Sequence, residues 1–196
     1  MLLITLFRVD YDVRAMIESG AVAYELARPL DLYWLWYCRS LAARTAPVLL
    51  RMGPVILVAA LFFGLRAPAS PASAGLWVTS TCAAVLLSAA VATLLTTTLL
   101  WTVAADGINA VAFGLIWLFS GLVVPLPLFP DWLQPVLNVL PFRGMMDTPF
   151  RIYMGHIPPD QAILAIAHQL AWTVAFVMLG RFMVGAGTRK LVVQGG

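Results

Sequence analysis

Four long apolar runs constrain most strongly what this chain of 196 residues can fold into. They cover Leu41–Leu65, Leu76–Val103, Ile108–Leu128 and Asp160–Ala186. About 20 residues of α-helix cross the roughly 30 Å hydrocarbon core of a bilayer, and each run is long enough. Because lipid offers no partners to free backbone groups, such runs must be helical. We therefore predict an all-α, polytopic membrane protein with four transmembrane helices.

The composition also indicates an integral membrane protein. Hydrophobic residues make up 62% of the chain and charged residues 11%, and the mean hydropathy is +0.91. Soluble domains contain about 45–50% apolar and about 25% charged residues. The net charge is only +3 and no basic run forms a phosphate-binding patch, so nucleic acid is not an expected partner. No repeat or linker divides the chain, and we predict one domain, 1–196, with coupling and interfacial helices in 1–52, a membrane bundle in 53–186 and a cytosolic tail in 187–196.

Three connections separate the apolar runs. Arg66–Gly75 is a short loop with two prolines, which stop a helix, and Ala104–Gly107 is a tight turn. Phe129–Pro159 is longer, and its apolar residues follow a helical spacing between Leu133 and Leu140. We expect a short helix there, at the outer membrane surface.

The distribution of Arg and Lys predicts the orientation. With four spans both termini lie on one side, and that side has nine basic residues whereas the other has three. Since basic residues are enriched on the cytosolic side, we expect a multi-pass protein of the cell's inner (plasma) membrane with both termini in the cytosol. The nine are Arg8, Arg14, Arg28, Arg39, Arg44, Arg51, Arg181, Arg189 and Lys190, and the three are Arg66, Arg143 and Arg151.

The pattern of residues 29–52 predicts an interfacial helix that leads into the first span. Asp31 is a candidate N-cap. Four aromatic residues crowd the next turn, and aromatic rings prefer the headgroup level of a membrane. The alternative is that these rings pack on other helices. The four are Tyr33, Trp34, Trp36 and Tyr37.

The sequence contains no recognisable enzyme centre, and we expect no catalytic activity and no cofactor. A phosphate-binding loop needs clustered glycines followed by lysine, and Lys190 is the only lysine. His156 and His168 have no partners at metal-ligand spacing, so a packing or hydrogen-bonding role is favoured for His168. Ser120 next to a glycine is too weak a pattern for a membrane hydrolase, because small residues in membrane helices usually serve close packing.

Hydroxyl groups provide most of the polar content of the predicted spans. The second run is rich in threonine, and Thr93 and Thr97, with Asn109 at the start of the third run, are candidates for a translocation path. The alternative is an ordinary packed helix, since threonine can bond to its own backbone. Charged residues are nearly absent from the runs, which disfavours an ion pump.

The segment Ile17–Leu32 concentrates charge just before the bundle. Its charged residues are Glu18, Glu25, Arg28 and Asp31. A charged, membrane-anchored segment can present ion pairs to a soluble partner, so we interpret it as a docking element.

Four places in the chain resemble the ABC-2 type transporter permeases, in the branch described as ABC-2 family transporter proteins. The first is Ile17–Gly20 with Glu25–Asp31, which is similar to the pattern I-x-S-G followed by L-x-R-P-L-D. The second is Pro125–Trp132, at the outer end of the penultimate span. The others are Leu140–Phe142 with Pro149 and Gly155, and the carboxyl end Gln194–Gly196.

The resemblance implies a function. Such permeases pair as homo- or heterodimers and bind cytosolic ABC ATPase subunits, whose hydrolysis of ATP drives the export of a small or amphipathic substrate. The family's coupling element corresponds to Glu18, Gly20, Glu25, Arg28, Pro29 and Asp31 here.

The chain departs from the resemblance in one respect. The family usually has six spans, and four are predicted here, so we expect the first two to be missing, with Met1–Phe7 as the tail of the second. Either the true start lies upstream of Met1, or this is a shortened form. The alternative function is a non-transporting membrane scaffold, immunity or assembly protein.

Overall fold

The computed structural model describes residues 11–26, 29–64, 67–102 and 106–194. All regular structure in these ranges is helical, which confirms the all-α prediction. The α-helices are α1 (Tyr11–Glu18), α2 (Val22–Leu26), α3 (Leu32–Phe62), α4 (Pro71–Thr97), α5 (Asp106–Phe119), α6 (Gln134–Val139), α7 (Asp147–Tyr153) and α8 (Pro159–Gln194). Short 3₁₀ turns cover Thr98–Leu100, Leu126–Leu128 and Phe142–Met145.

Helix α4 is the centre of the bundle, and α8, α3 and α7 pack around it. Its buried face is formed mainly by small residues, which let neighbouring helices approach closely. In the most apolar 18-residue stretch of each helix, 67% of the residues are buried in α4 but only 22% in α8. The protein core therefore surrounds α4, whereas most of α8 faces outward.

Among the residues that the structure describes, two helices are long and apolar enough to cross a membrane, at Pro71–Leu100 and Pro159–Thr188. Shorter apolar helical stretches occur at Gly53–Phe62 and Gly107–Phe119. Long apolar helices are therefore confirmed for two of the four runs, and the four membrane spans stay predictions.

The third apolar run does not form one helix. Helix α5 has 14 residues, or about 21 Å at 1.5 Å per residue, and the chain then bends. Gly121 has φ +84°, which favours glycine, and Pro125 and Pro127 prevent the helix from continuing. Hydropathy alone overestimated the length of this helix.

The predicted interfacial helix and first span form a single helix, α3. Asp31 is its N-cap, as expected, and its Oδ1 accepts a hydrogen bond from the backbone N–H of Trp34 at 3.2 Å. Tyr33, Trp36 and Tyr37 are buried, and Trp34 is exposed. Three of the four aromatic rings thus pack inside the protein, in agreement with the alternative to headgroup placement.

The segment between α5 and α8 contains more helix than was expected. The predicted short helix is present as α6, and it is followed by the Phe142–Met145 turn and by α7, which were not predicted. This segment folds back onto the bundle, because both the turn and α7 contact α4. We call this end of the bundle, where residues 120–159 pack on α4 and α8, the loop end.

A buried hydrogen-bond cluster holds the loop end together. The side-chain amide of Gln169 on α8 donates to the carbonyl of Gly144 at 2.6 Å and to that of Ser80 on α4 at 3.2 Å. The Ser80 hydroxyl donates to Oε1 of Gln169 at 3.1 Å. Both side chains are fully buried, and a Cβ at Gly144 would lie only 2.9 Å from Cγ of Gln169. One glutamine thereby joins α8, α4 and the Phe142–Met145 turn.

The predicted hydrogen-bonding role of His168 is also observed. Its Nε2 lies 2.9 Å from the carbonyl oxygen of Val139, to which the indole N–H of Trp172 donates at the same distance. These contacts attach α6 to α8.

Candidate functional site

The opposite end of the bundle, which we call the charged end, is formed by α1, α2, the start of α3 and the last turns of α8. Gly20 lies between α1 and α2 with φ +75°, a left-handed conformation that favours glycine. Val13 of α1 and Val22 of α2 are buried in one cluster with Tyr33 and Trp36 of α3. The amino-terminal helices are therefore packed on α3.

Arg39 on α3 connects the two amino-terminal helices. Its guanidinium donates to Oδ2 of Asp12 on α1 at 3.0 Å, and its Nη1 lies 3.9 Å from Oε1 of Glu25 on α2. The second oxygen of Glu25 accepts a hydrogen bond from the indole N–H of Trp36 at 2.9 Å. Glu25 is only 11% exposed, so most of its surface is occupied by contacts within the chain.

A second ion pair connects the start of α3 with α8. Oδ2 of Asp31 accepts a hydrogen bond from Arg181 at 3.1 Å, and the Arg181 guanidinium lies 5.9 Å from the centre of the Trp34 ring. Both charged side chains are about half exposed. Asp31 therefore has two roles, since one oxygen caps α3 and the other binds α8.

The predicted coupling residues are partly brought together. Glu25 and Asp31 lie at the same end of the bundle, but they pair with different arginines. Gly20 and Pro29 are exposed between helices. Glu18 ends α1, and its side chain, like the whole of Arg28, lies outside the described residues.

Sequence reasoning did not find the arginines that complete this site. Arg39 and Arg181 were counted only for their charge, yet they bind Asp12 and Asp31 across 27 and 150 residues of sequence. No local spacing connects such pairs. The exposed ion pairs are each weak and can exchange partners, which suits a surface that a charged protein could bind.

The three candidate path residues lie on two helices. Thr93 and Thr97 of α4 are buried, and their hydroxyls donate to the carbonyls of Ala89 at 2.8 Å and Leu94 at 2.7 Å. Asn109 lies on α5, with a buried side-chain oxygen that has no hydrogen-bond partner among the described residues. Other hydroxyls of this region likewise donate to their own helix, namely those of Thr79, Thr81, Ser88, Thr96 and Thr98.

The loop end contains one buried carboxylate. The backbone N–H of Asp147 donates to the carbonyl of Ser120 at 3.1 Å, and its Oδ2 lies 3.6 Å from the Arg151 guanidinium. Burial raises the pKa of Asp147, while Arg151 and Arg143 oppose that rise. Nothing in the described part of the chain groups three or more metal-ligating side chains.

Comparison with protein families identifies a match over nearly the whole chain. The model of a family described as ABC-2 family transporter protein matches residues 4–195, nearly the whole chain. No curated protein and no solved structure gives a significant match.

Proposed function

Because the chain belongs to the ABC-2 family transporter proteins, we propose that it is the membrane permease of an ABC exporter, driven by a separate cytosolic ATPase. The family match over almost the full sequence is the observation that carries this proposal. The substrate would be a small or amphipathic molecule, moved outward across the inner membrane.

The exposed apolar surface supports the membrane assignment. The second half of α3 exposes Leu57 (60%), Leu61 (69%) and Phe62 (77%), and α8 exposes Leu164 (74%) and Phe182 (72%). Such side chains are unfavourable in water when they form a continuous face, so lipid or a second permease subunit would cover them. In the proposed arrangement α3 provides a third span, α5 with the bent segment that follows it provides the fourth, and both termini are cytosolic.

The charged end supports the coupling proposal. The buried cluster of Val13 and Val22 with Tyr33, together with Arg39, attaches α1 and α2 to α3, and Arg181 joins α3 to α8. A force on the amino-terminal helices would therefore reach α3 and, through α3, α8. We propose that the ATPase binds here, at the segment that holds Glu18, Gly20, Glu25, Arg28, Pro29 and Asp31.

Charge reversal in this segment tests ATPase binding. We expect Arg28→Glu to weaken association with the ATPase and its stimulation, with membrane insertion unchanged. Asp160→Arg, an exposed charge reversal at the first turn of α8, is the matched control. The measurement is co-purification with a P-loop ATPase together with its rate of ATP hydrolysis. If the wild-type permease neither binds nor stimulates that ATPase, the exporter proposal fails and the scaffold alternative is favoured.

The candidate path residues need a separate test. Thr97→Val and Thr93→Val keep the side-chain shape and remove a hydroxyl that donates to a carbonyl of its own helix. If these hydroxyls contact the substrate, the efflux of amphipathic dyes by the complete transporter falls several-fold. Thr79→Val, an exposed position on the same helix, is the control. Equal efflux in all three variants would remove both threonines from the path.

A further inference from the structure

A cavity of about 180 Å³ lies between α4, the middle of α3 and the loop end. One face of α4 between Trp77 and Ser88 forms its longest wall, and Val48 of α3 contributes to another. Met145, from the turn that follows α6, and Phe150 of α7 line it at the loop end. The cavity therefore lies beside the part of α4 that is long and apolar enough to cross a membrane.

The walls of this cavity have almost no polar character. Its two hydroxyls belong to Thr81 and Ser88, and they donate to the backbone carbonyls of Trp77 at 2.7 Å and Val85 at 2.9 Å. No charged side chain is among the described residues that line it. A buried water needs about two to four polar partners, which these walls do not offer. The cavity is therefore suited to an apolar group.

The surrounding fold holds the walls in place. Trp77 packs against the buried cluster around Ile152 of α7, and its ring lies 5.3 Å from that of Tyr153. Met145 is 5% exposed and belongs to a core cluster with Leu87 of α4. The cavity is preformed, so a ligand that fits it loses little affinity to reordering of the protein.

The size of the cavity limits what it can hold. An engineered apolar cavity of about 150 Å³ binds benzene. A space of about 180 Å³ therefore accepts one aromatic ring with a small substituent, but only a short part of a lipid acyl chain. The walls also favour a ring, because Trp77 and Phe150 can contact it edge to face and Met145 and Met146 can form sulfur–aromatic contacts.

We propose that this cavity binds an uncharged aromatic ring, which forms the apolar part of an amphipathic substrate. The polar part of such a molecule stays outside, since the walls offer it no partner. The role of the cavity in transport depends on the exporter function proposed above, whereas ring binding depends on the cavity alone. The expected substrate class is accordingly aryl-bearing amphiphiles, and inorganic ions and sugars do not fit.

Photolabelling of the full chain in nanodiscs tests ring binding without an ATPase. The probe is a trifluoromethyl phenyl diazirine, and labelled residues are located by peptide mass spectrometry. We expect labelling of Trp77 and Met145 to saturate, and to fall about tenfold when ethylbenzene is present at about ten times its Kd. Labelling of Phe182, which is exposed on α8, should neither saturate nor fall.

Two outcomes of this experiment would overturn the proposal. Labelling of Trp77 that rises in proportion to the probe, as at Phe182, would show that no ring site exists. Competition by hexane as strong as that by ethylbenzene would assign the cavity to the acyl chains of lipids.

A matched pair of valines on α4 assigns the site. Val85 lines the cavity, whereas Val78 is exposed on the same helix. Val85→Phe fills the cavity and should lower the saturable labelling several-fold, and Val78→Phe should leave it unchanged. Val85→Ala enlarges the cavity, so ethylnaphthalene should compete at a several-fold lower concentration than with wild type.

The two Val85 variants also separate ring binding from transport. Wild-type behaviour in both Val85→Phe and Val85→Ala would overturn the proposed site. Saturable labelling in a chain that neither binds nor stimulates an ATPase would support the ring site and remove its role in export.

Discussion

The two ends of the bundle hold their polar groups in different ways. At the charged end, Arg39 and Arg181 form exposed ion pairs with Asp12, which is 79% exposed, and Asp31, which is 42% exposed, whereas Glu25, the second partner of Arg39, is mostly buried. At the loop end, Gln169 and Ser80 are fully buried and joined by neutral hydrogen bonds.

This difference separates two mechanical properties. Exposed ion pairs contribute about 0–1 kcal/mol each, so they can be broken and remade at little cost. Buried hydrogen-bonding groups cost about 1–3 kcal/mol each when they lose a partner. The charged end is therefore suited to rearrangement, and the loop end to holding a fixed shape.

The largest effect is expected at Gln169. Gln169→Leu leaves the Ser80 hydroxyl and the Gly144 carbonyl without their partner, and it should lower the free energy of unfolding by about 3 kcal/mol. Leu164→Ala on the exposed face of α8 should change it by less than about 0.5 kcal/mol. Reversible unfolding in mixed micelles measures both. A similar loss in the two variants would contradict a fixed loop end.

The next largest effect is expected at Gly180, where α8 packs tightly on Tyr33 of α3 at the charged end. A methyl group at Gly180 would meet the Tyr33 ring at 2.4 Å, so Gly180→Ala should destabilise the protein by about 2 kcal/mol. Gly185→Ala is the matched control, because nothing lies within 4 Å of a Cβ there. If both substitutions behave alike, α3 does not pack on α8 through Tyr33.

A smaller, pH-dependent effect is expected at Asp147. Its pKa in the folded protein lies above the ordinary value of 3.8, so the wild type loses stability as the pH rises above about 4 and through the folded pKa. The Asp147→Asn side chain does not titrate, so this variant should gain stability relative to wild type as the pH rises through that range. Thermal unfolding at several pH values measures the difference. A constant difference would show that the carboxylate is well solvated at the loop end.

The smallest effect is expected at Arg39. Arg39→Gln should lower the free energy of unfolding by less than about 1 kcal/mol, because its close ion pair, with Asp12, is exposed and its contact with Glu25 is long, at 3.9 Å. The measurement is again unfolding in micelles, repeated at high salt, where the effect should shrink. A loss as large as that at Gln169 would remove the contrast between the two ends.

Local signals in the sequence predicted part of this structure. Asp31 was recognised as an N-cap because the signal depends on a few adjacent residues, and α6 was recognised from the spacing of its apolar residues. The helical class and the two long apolar helices, Pro71–Leu100 and Pro159–Thr188, followed from apolar run length. Apolar run length did not predict the length of α5, because the apolar residues continue past Gly121 although the backbone bends there.

The contacts that define the two ends could not be predicted in this way. Ser80 and Gln169 are 89 residues apart, and their pairing depends on how α4 and α8 are aligned. Arg181 and Asp31 depend on the same alignment. The charged segment around Glu25 was found from its composition. Its partners Trp36 and Arg39 could not be predicted, because they depend on how α2 packs on α3.

The hydroxyl groups of α4 have a consequence for motion. Because most of them donate to carbonyls of their own helix, the surface that α4 presents to α8 is chemically close to that of an alanine-rich helix. In the described chain, the hydrogen bonds between the two helices are those of Gln169 with Ser80 near one end and a long contact of 3.8 Å from Thr97 to the sulfur of Met183 near the other. A tilt of α8 that pivots at Gln169 would therefore keep the strong bonds and break only the weak one, whereas sliding along α4 would break them all.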